Sequence, residues 1–380
     1  MKIKNISYSL CTVLILLSCE KKSIDAVVSV PFENTALSTQ STNRLNVVLD
    51  SVCKKMNIKG ASCAVFIPNK GVWEGAYGVS FATTKINSNM ALTIGSNTKT
   101  YISTLMLKLQ ENGVLNLNDK VSKYLPKAPF MNDAVTIKQL LNHTTGFGDF
   151  SFNEKFIEAI QANFKRVWQP IETYPYFEKP IGTIGSYSYS DQNYLLAGLV
   201  IEGATKKPLK TSMRELILTP NNLTKTVYYP FEDTDLVIPH SWSADFGLGI
   251  LTDIDAVAGY SRIAFCSADN AAGGMLSTAK ENVLFWNRLM TGKIINQASL
   301  VQLQGFIPAP DQNNLYGLGI IKTVNAFNKR TILSHNGYVP GSINDNAYDP
   351  ISGVCISVLT NQDQLKDLSP IVSALHKATL

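Results

Sequence analysis

Apolar residues recur at helical spacing in two early stretches of the chain. The first stripe runs through Leu45, Val48, Leu49 and Val52, and the second through Ile102, Leu105, Met106 and Leu109. Each stripe predicts an amphipathic helix. The run ASCAVFIPNKGVWEGAYGVS between them predicts two strands joined at the turn Pro-Asn-Lys-Gly.

The middle of the chain is mostly helical in pattern, and strand patterns return near its end. Helical patches include VTIKQLLNH, YLLAGLVIEGA and AKENVLFWNRLM, and the late strand patterns are LYGLGIIKTV, RTILSHNG, SINDNAYDP and GVCISVLTN. Strands from both ends of the chain flank a helical middle. We therefore predict an α/β (α+β) fold, with a mostly antiparallel sheet that the C-terminal strands complete and an inserted helical subdomain. The sheet part spans about 44–114 and 311–380, and the helical part about 115–310.

The first residues predict export. Two lysines precede an apolar run from Leu10 to Leu17, which a small residue and Cys19 follow, and this run is too short to span a membrane. The ending LLSC resembles the lipobox of bacterial lipoproteins, in which the cysteine is lipidated. We expect a signal peptide over 1–18, a polar tether over 19–43 and a lipid-anchored protein of the bacterial cell envelope; the alternative is an ordinary secretory peptide cut nearby.

Composition excludes some classes of function. The formal net charge is +5 in 380 residues, and the basic residues form pairs without a basic run, so we expect no nucleic-acid partner. The sequence has neither zinc-ligand spacing nor a complete dinucleotide loop, so we expect no metal and no cofactor. Cys63 and Cys355 lie on strand-like runs and are either buried free thiols or, in an oxidising envelope, a disulfide.

Serine and lysine stand three residues apart at four places. On a helix this spacing puts both side chains on one face, where a lysine can take part in activating a serine hydroxyl. One pair lies in the signal and tether, and Ser51/Lys54 lies on a solvated helix face. Ser277/Lys280 starts a helix and competes by local pattern. Ser96/Lys99 is favoured because Ser96 follows Gly95 at a helix N-terminus, which supplies free N–H groups.

The order of later motifs decides between these pairs. Tyr189-Ser190-Asp191 precedes an apolar helix, and His335-Asn336-Gly337 ends a strand pattern. The order Ser-x-x-Lys, Tyr-Ser-Asn/Asp, (Lys/His)-x-Gly resembles the serine penicillin-recognising enzymes, which include class C β-lactamases, D-alanyl-D-alanine carboxypeptidases and related esterases. Other stretches, such as VTIKQLLNHTTGF and AAGGMLSTAKENVLFWNRLM, resemble the same family.

This resemblance implies roles for the site residues. Ser96 would attack a carbonyl to give an acyl-enzyme, and Lys99 would accept or share its proton. Tyr189 would shuttle the proton to the leaving group, and a nearby cation would lower its pKa; either Lys99 or Tyr189 is the general base. The backbone N–H groups of Ser96 and Tyr338 would form the oxyanion hole, and Gly337 allows the close approach.

Three positions need a separate interpretation. His335 stands where many relatives have lysine, and its partial charge near neutral pH predicts weaker, pH-dependent recognition of a substrate carboxylate. Asp191 replaces the usual asparagine and should contact Lys99, whereas Asn193 belongs to the helix start. His143 is expected to have a structural role. Without the other motifs, Tyr189 would be interpreted as part of an aromatic packing cluster.

Together these features predict a serine hydrolase that acts through an acyl-enzyme on a small acyl or peptide substrate. A D-Ala-D-Ala carboxypeptidase acting on peptidoglycan stem peptides is the favoured activity, and the membrane is a partner through the lipid anchor. An esterase on small acyl esters is the first alternative and a β-lactamase the second. A non-catalytic penicillin-binding or sensor lipoprotein is the alternative of a different class.

Overall fold

The structure is a computed structural model that describes residues 33–125, 128–244, 249–257, 259–309, 314–324, 330–365 and 367–380. The predicted signal peptide and Cys19 lie outside these residues. No helix in the described ranges is both long enough and apolar enough to cross a membrane.

The strands fall into an early group, a few short central strands and a late group. In chain order they are β1 Gly60–Ile67, β2 Gly71–Phe81, β3 Thr84–Lys85, β4 Leu92–Thr93, β5 Val227–Tyr228, β6 Trp242–Ser243, β7 Thr252–Asp253, β8 Met275–Ser277, β9 Ile307–Pro308, β10 Asn314–Tyr316, β11 Ile321–Val324, β12 Thr331–Val339, β13 Ser342–Tyr348 and β14 Cys355–Thr360. The predicted hairpin and all four late strand patterns are confirmed.

One antiparallel sheet joins the two ends of the chain. Within the described residues its nine strands run in the order β3-β2-β1-β14-β13-β12-β11-β10-β9. The N-terminal β1 pairs with the C-terminal β14 in a register that sets Cys63 opposite Val358. The predicted completion of the sheet by the C-terminal strands is therefore confirmed, and the fold is the expected mixed α/β class.

Helices cover both faces of this sheet. The α-helices are α1 Thr39–Lys55, α2 Thr98–Glu111, α3 Ile137–Leu141, α4 Glu154–Ala162, α5 Asp191–Thr205, α6 Leu209–Met213, α7 Ile254–Val257, α8 Arg262–Asp269, α9 Ala279–Met290, α10 Gln297–Leu303 and α11 Ser369–Thr379. Short 3₁₀ turns cover Gly95–Asn97, Val121–Lys123, Phe150–Phe152, Pro170–Tyr176 and Asn270–Ala272, and a π-helical turn covers Arg214–Leu218.

The sheet separates two apolar cores because alternate residues of a strand point to opposite faces. On one face, α1 packs against β2 and α11 packs against β14. On the other face, α9 packs against β1 and β14, and its core continues into α2 and α5. Helix α9 comes from the segment predicted as the helical subdomain, yet it forms a layer of the sheet part.

The cysteines are buried free thiols within the described chain. Cys63 belongs to the core beneath α1 and α11, whereas Cys355 belongs to the core on the opposite face. Two side chains on opposite faces of a sheet cannot be bridged, so the interpretation as free thiols is the one that the fold supports.

Described residues ahead of position 44, the predicted start of the domain, also pack on it. Helix α1 starts at Thr39, with Ser38 as its N-cap. Ahead of it, Ala36 pairs with Val72, and the buried Glu33 carboxylate accepts a hydrogen bond from Arg288 at 2.9 Å. The last residues of the predicted tether are therefore packed on the domain.

Candidate active site

Ser96 lies where a 3₁₀ turn runs directly into α2. Gly95 precedes it with a φ of +46°, a left-handed conformation that favours glycine. A side chain on Gly95 would place its Cβ 2.7 Å from the backbone nitrogen of Tyr338 in β12. The start of the helix is thus pressed against the strand that carries the third motif.

Lys99 is fully buried one turn after Ser96. Its Nζ donates to Ser96 Oγ at 2.9 Å, to Asp191 Oδ1 at 2.5 Å and to the carbonyl oxygen of Ala272 at 2.9 Å. Burial is the largest single influence on the pKa of Lys99 and lowers it, but attraction to Asp191 and Tyr189 and the hydrogen bonds with them together outweigh burial, so the pKa is raised. Lys99 is therefore an ammonium at neutral pH, with three N–H donors and three acceptors.

Asp191 and Tyr189 come to this lysine from the start of α5. The Asp191 contact is the one expected from the sequence. Lys99 Nζ lies 5.0 Å from the ring centroid of Tyr189. Burial of the phenol raises the pKa of Tyr189 more than Lys99 lowers it, so the expected fall in this pKa is wrong. In the resting site, Tyr189 is a neutral phenol.

Two further carboxyl groups surround Asp191. Asp149 Oδ2 accepts the backbone N–H of Asp191 at 3.1 Å, and burial followed by repulsion from Asp191 raises the pKa of Asp149 to about 6. Burial, with Asp191 as the second cause, raises the pKa of Asp269 to about 8. The described residues contain no group of His, Cys, Asp or Glu side chains arranged to hold a metal ion.

His335 is buried and uncharged. Burial, reinforced by Lys99, lowers its pKa to about 3. The expected partial charge at neutral pH is therefore wrong, because the predicted motif position lies inside the protein and not on the wall of the cleft. His335 Nδ1 lies 2.6 Å from the carbonyl oxygen of Asn336, and since a carbonyl only accepts, Nδ1 carries the proton.

This tautomer sets the direction of a hydrogen-bond chain across the site. The bare His335 Nε2 accepts from the Tyr316 hydroxyl at 3.0 Å, and the Tyr316 oxygen accepts from His143 Nε2 at 3.2 Å. His143 Nδ1 in turn accepts the backbone N–H of Ser190 at 3.2 Å. The chain connects the backbone beside Tyr189 to the backbone at Asn336, so the second and third motifs hold each other in place.

Gly337 and Tyr338 face the helix start from β12. A Cβ on Gly337 would lie 2.1 Å from the carbonyl oxygen of Ile94, so only glycine fits there. Asn344, on the neighbouring strand, donates to the Thr93 carbonyl at 3.2 Å and accepts from Asn97. These contacts fix the backbone of Ser96 against that of Tyr338, as an oxyanion hole requires.

The remaining candidate residues make hydrogen bonds that support the fold and do not contact Ser96. Asn193 donates to His143 Nδ1 at 3.2 Å and accepts from Thr145, so it supports the site from inside α5 as expected. Lys280 bonds Glu74 instead of Ser277. His143 is fully buried, and its position in the hydrogen-bond chain agrees with a structural role.

Sequence patterns did not single out Tyr316 or Asp269. Tyr316 lies in the strand-like stretch LYGLGI, where an aromatic residue reads as core. Asp269 follows the small-residue stretch CSA just ahead of AAGG. A single charged residue among small residues is unusual and could have drawn attention to Asp269. Nothing in the local pattern, however, relates Asp269 to the motif at Tyr189, more than 70 residues away in sequence.

Two cavities meet at Ser96. One, of about 510 Å³, is lined by Ser96, Phe152, Tyr189, Asn336, Gly337, Tyr338 and Ile343. The other, of about 410 Å³, is lined by Ser96, Ser151, Phe152, Phe156, Ile157, Gln161, Asp191, Phe265, Asp269, Tyr338 and Pro340. We name them the tyrosine cavity and the acidic cavity. An apolar cleft with a few converging polar groups is a typical ligand site.

Solved structures with the same fold include amide hydrolases. A D-stereospecific amidohydrolase from Streptomyces sp. matches with a TM-score of 0.76 and 23% identity, over 88% of this chain and 98% of that one. A D-amino acid amidase from Ochrobactrum anthropi SV3 matches with a TM-score of 0.77 and 22% identity, over 90% and 99%.

Curated relatives match a shorter part of the chain. Protein flp of Staphylococcus aureus strain COL is 30% identical over 198 residues, which cover 50% of this chain and 39% of that protein. The putative penicillin-binding protein PbpX of Bacillus subtilis strain 168 is 24% identical over 248 residues, 65% of this chain and 56% of that protein. The chain thus spans well under two thirds of these relatives.

The fold and the serine–lysine–tyrosine cleft together define a serine hydrolase of the penicillin-recognising superfamily. The model of the β-lactamase family matches residues 49–375. The chain belongs to the β-lactamase family.

Proposed function

We propose that this chain hydrolyses a small amide or ester through an acyl-enzyme on Ser96. The observation that carries the proposal is the 2.9 Å contact between Ser96 Oγ and Lys99 Nζ at the meeting point of the two cavities. A serine hydroxyl becomes a nucleophile when nearby groups accept its proton as it attacks.

In the proposed reaction, Ser96 Oγ attacks the carbonyl carbon and its proton passes into the cluster of Lys99, Tyr189 and Asp191. The oxygen of the tetrahedral intermediate lies between the backbone N–H groups of Ser96 and Tyr338. Tyr189 lines the tyrosine cavity, so the amine or alcohol leaves on that side and takes its proton from Tyr189. Water then hydrolyses the acyl-Ser96 ester.

The tyrosine cavity favours a leaving group without a carboxylate. No lysine or arginine occurs among the described residues that line it. His335, where a cation would help to bind a C-terminal carboxylate, is buried and its pKa is lowered to about 3. Amides of amino acids and simple esters meet this requirement, and the fold likeness to D-amino acid amidases supports the amide.

D-Ala-D-Ala carboxypeptidase activity is the second candidate. Its support is the likeness to penicillin-binding proteins, which include PbpX and, at a TM-score of 0.74, a homologue from Pyrococcus abyssi. The same neutral wall predicts a higher KM for a peptide that ends in a free carboxylate than for the corresponding peptide amide.

A panel of substrates tests the proposal: D-phenylalanine p-nitroanilide, a p-nitrophenyl ester, an acyl-D-Ala-D-Ala peptide and a chromogenic cephalosporin. We expect kcat/KM to be larger for the anilide and the ester than for the peptide and the cephalosporin, with no turnover by Ser96→Ala. Covalent labelling of Ser96 by penicillin without turnover of any panel member would instead identify a non-catalytic penicillin-binding protein.

We also propose that the protein is an exported lipoprotein of the bacterial cell envelope, anchored at Cys19. One lipid chain binds a membrane only marginally, whereas two or more give stable anchoring. Cys19→Ser should therefore move the protein from the membrane pellet to the soluble fraction, with Cys11→Ser as the matched control. An unchanged pellet fraction for Cys19→Ser would mean that attachment is by another route.

A further inference from the structure

The acidic cavity has a charged end that the proposed reaction does not use. Asp191 and Asp269 both line it, and Ser96 lines it as well. A cavity of about 410 Å³ that opens on the nucleophile is placed to receive one part of a substrate whose carbonyl lies at Ser96. The position of Ser96 on its wall, and not the carboxyl groups alone, marks it as a substrate subsite.

The two carboxyl groups differ in what balances their charge. Asp191 Oδ1 is paired with Lys99 at 2.5 Å. Among the described residues, no hydrogen bond or ion pair is found for the Asp269 carboxyl group, which has only the more distant charges of Asp191, Asp149 and Lys99 around it. No lysine or arginine occurs among the described residues lining the cavity. Within the described chain, the wall of the cavity thus carries one carboxyl group with no cationic side chain bonded to it.

The rest of the wall suits the body of an organic cation. Phe156 is buried and packs edge-on against Trp168, and Phe265 stacks on Phe164, so both rings are held in place. Phe152, at the mouth, is largely exposed. Aromatic faces attract ammonium groups and apolar carbon alike, so a carboxyl group behind aromatic rings favours an amine on a hydrocarbon body.

The position of Tyr189 indicates which half of the substrate enters the acidic cavity. Tyr189 lines the tyrosine cavity and is absent from the described lining of the acidic cavity. If Tyr189 protonates the leaving group, as proposed above, the acyl half occupies the other cavity. This step rests on the proposed function.

We propose that Asp269 is a specificity residue that binds an ammonium group in the acyl half of the substrate. The substrate class is then an amide or ester of an amino acid that carries a free amine, either the α-amine or an amine at the end of its side chain. An N-acylated substrate with a neutral side chain would leave the Asp269 carboxyl group buried without a partner, so it reacts more slowly.

The test compares p-nitroanilide substrates that differ only in the amine. D-Phenylalanine p-nitroanilide against its N-acetyl form probes the α-amine. N-acetyl-D-lysine against N-acetyl-D-norleucine p-nitroanilide probes a side-chain amine. In the wild type we expect kcat/KM to favour the amine by about 10- to 100-fold in at least one pair, as a charge-assisted hydrogen bond gives.

Asp269→Asn should bring that ratio close to one, and any change in kcat/KM that both members of a pair share cancels in the ratio. Glu158→Gln, an exposed carboxyl group on α4 that does not line the cavity, is the matched control and should keep the ratio. Thermal melting checks folding: because burial raises the pKa of Asp269 to about 8, the variant should melt no lower than the wild type at pH 7.5. An unchanged ratio in a folded Asp269→Asn overturns the proposal.

A second measurement separates this proposal from the proposed hydrolysis. D-Phenylalaninamide and D-lysinamide should slow the labelling of Ser96 by a fluorophosphonate more than their fully N-acetylated forms do, and Asp269→Asn should remove the difference. Protection by the amine without any hydrolysis would support the amine site and overturn the hydrolytic function. Hydrolysis without preferential protection, and without an amine preference in kcat/KM, would support the hydrolytic function and overturn the amine site.

Discussion

Two Ser-x-x-Lys pairs stand at the start of long helices in this chain, and they have opposite surroundings. Lys99 Nζ lies 2.9 Å from Ser96 Oγ in the cleft. Ser277 Oγ instead lies 2.8 Å from Thr226 Oγ1, and Lys280 Nζ lies 2.8 Å from Glu74 Oε1 on β2. The sequence spacing is the same, but only the first pair is in contact.

The difference comes from the backbone between the two residues. Ser96 lies in a 3₁₀ turn that continues through Asn97, in the right-handed helical region, into α2. Ser277 ends β8, and Thr278 has extended dihedral angles of −87° and 154° before α9 begins. Residues three apart share a face only where the chain between them is helical, so the motif needs the helix to start at or before its serine.

The largest expected effect is that of removing the first serine. Ser96→Ala should abolish labelling by a fluorophosphonate or penicillin probe and lower kcat by roughly 10⁴-fold or more, because the acyl-enzyme cannot form. Ser277→Ala should label like the wild type. Mass spectrometry of the labelled peptide measures both, and wild-type labelling of Ser96→Ala would reverse the assignment of the two pairs.

The second-largest expected effect is a difference between the two lysines in what their removal costs in stability and activity. Lys99→Met leaves Asp191 as an unpaired carboxylate beside Asp149 and Asp269, so we expect about 3–5 kcal/mol less stability and a 10²- to 10⁴-fold lower kcat/KM as rough magnitudes. Lys280→Met breaks a pair whose members are both about a third exposed and should cost less than about 1 kcal/mol without changing kcat/KM.

Urea unfolding and hydrolysis of a p-nitrophenyl ester measure this contrast between the lysines. The double variant Lys99→Met/Asp191→Asn removes the unpaired charge and should recover most of the lost stability while the loss of activity persists. Equal stability losses for the two lysine variants would contradict the difference in burial on which the comparison rests.

The third effect is a change in pH dependence. Asp191 raises the pKa of Lys99 against the effect of burial, so in Asp191→Asn burial dominates and the pKa of Lys99 falls. If Lys99 is the base, its unprotonated form then appears at lower pH. If Tyr189 is the base, the ammonium left without its partner lowers the pKa of Tyr189 instead. Both routes move the acidic limb of kcat/KM to lower pH.

We expect this limb to move by about one to three pH units, from the interaction of two charges at contact distance. The profile should be measured with a substrate whose chemistry limits kcat/KM. Asp50→Asn, outside the cleft, is the control and should leave the limb in place. A limb that stays or moves to higher pH in Asp191→Asn would show that the carboxylate does not act on the site in this way.

The contact between Ser96 and Lys99 could be predicted from helical spacing, which is a local signal, and Asp191 was placed beside them by the motif order that resembles the penicillin-recognising enzymes. The sheet could be predicted too, since period-2 patterns lie at both ends of the chain. The charge state of His335 could not be predicted from the sequence, because it depends on burial of the side chain by other elements. Asp269 and the hydrogen-bond chain through Tyr316 were missed because their partners lie far away in sequence and neither residue belongs to one of the three motifs.

The smallest expected effect measures what Ser277 does contribute. The Thr226 hydroxyl donates to the Glu281 carboxylate at 2.6 Å, so its only proton is used and Ser277 must be the donor in their 2.8 Å contact. Ser277→Ala removes one donor from a hydroxyl whose own hydrogen bond persists, and it should lower the free energy of unfolding by about 1 kcal/mol. Urea unfolding measures this loss against Ser122→Ala, an exposed serine that should cost nothing measurable. A loss in kcat/KM with no loss of stability would instead give Ser277 a part in the chemistry, since its hydrogen bonds as described reach only Thr226, beside β5, and the Thr278 carbonyl.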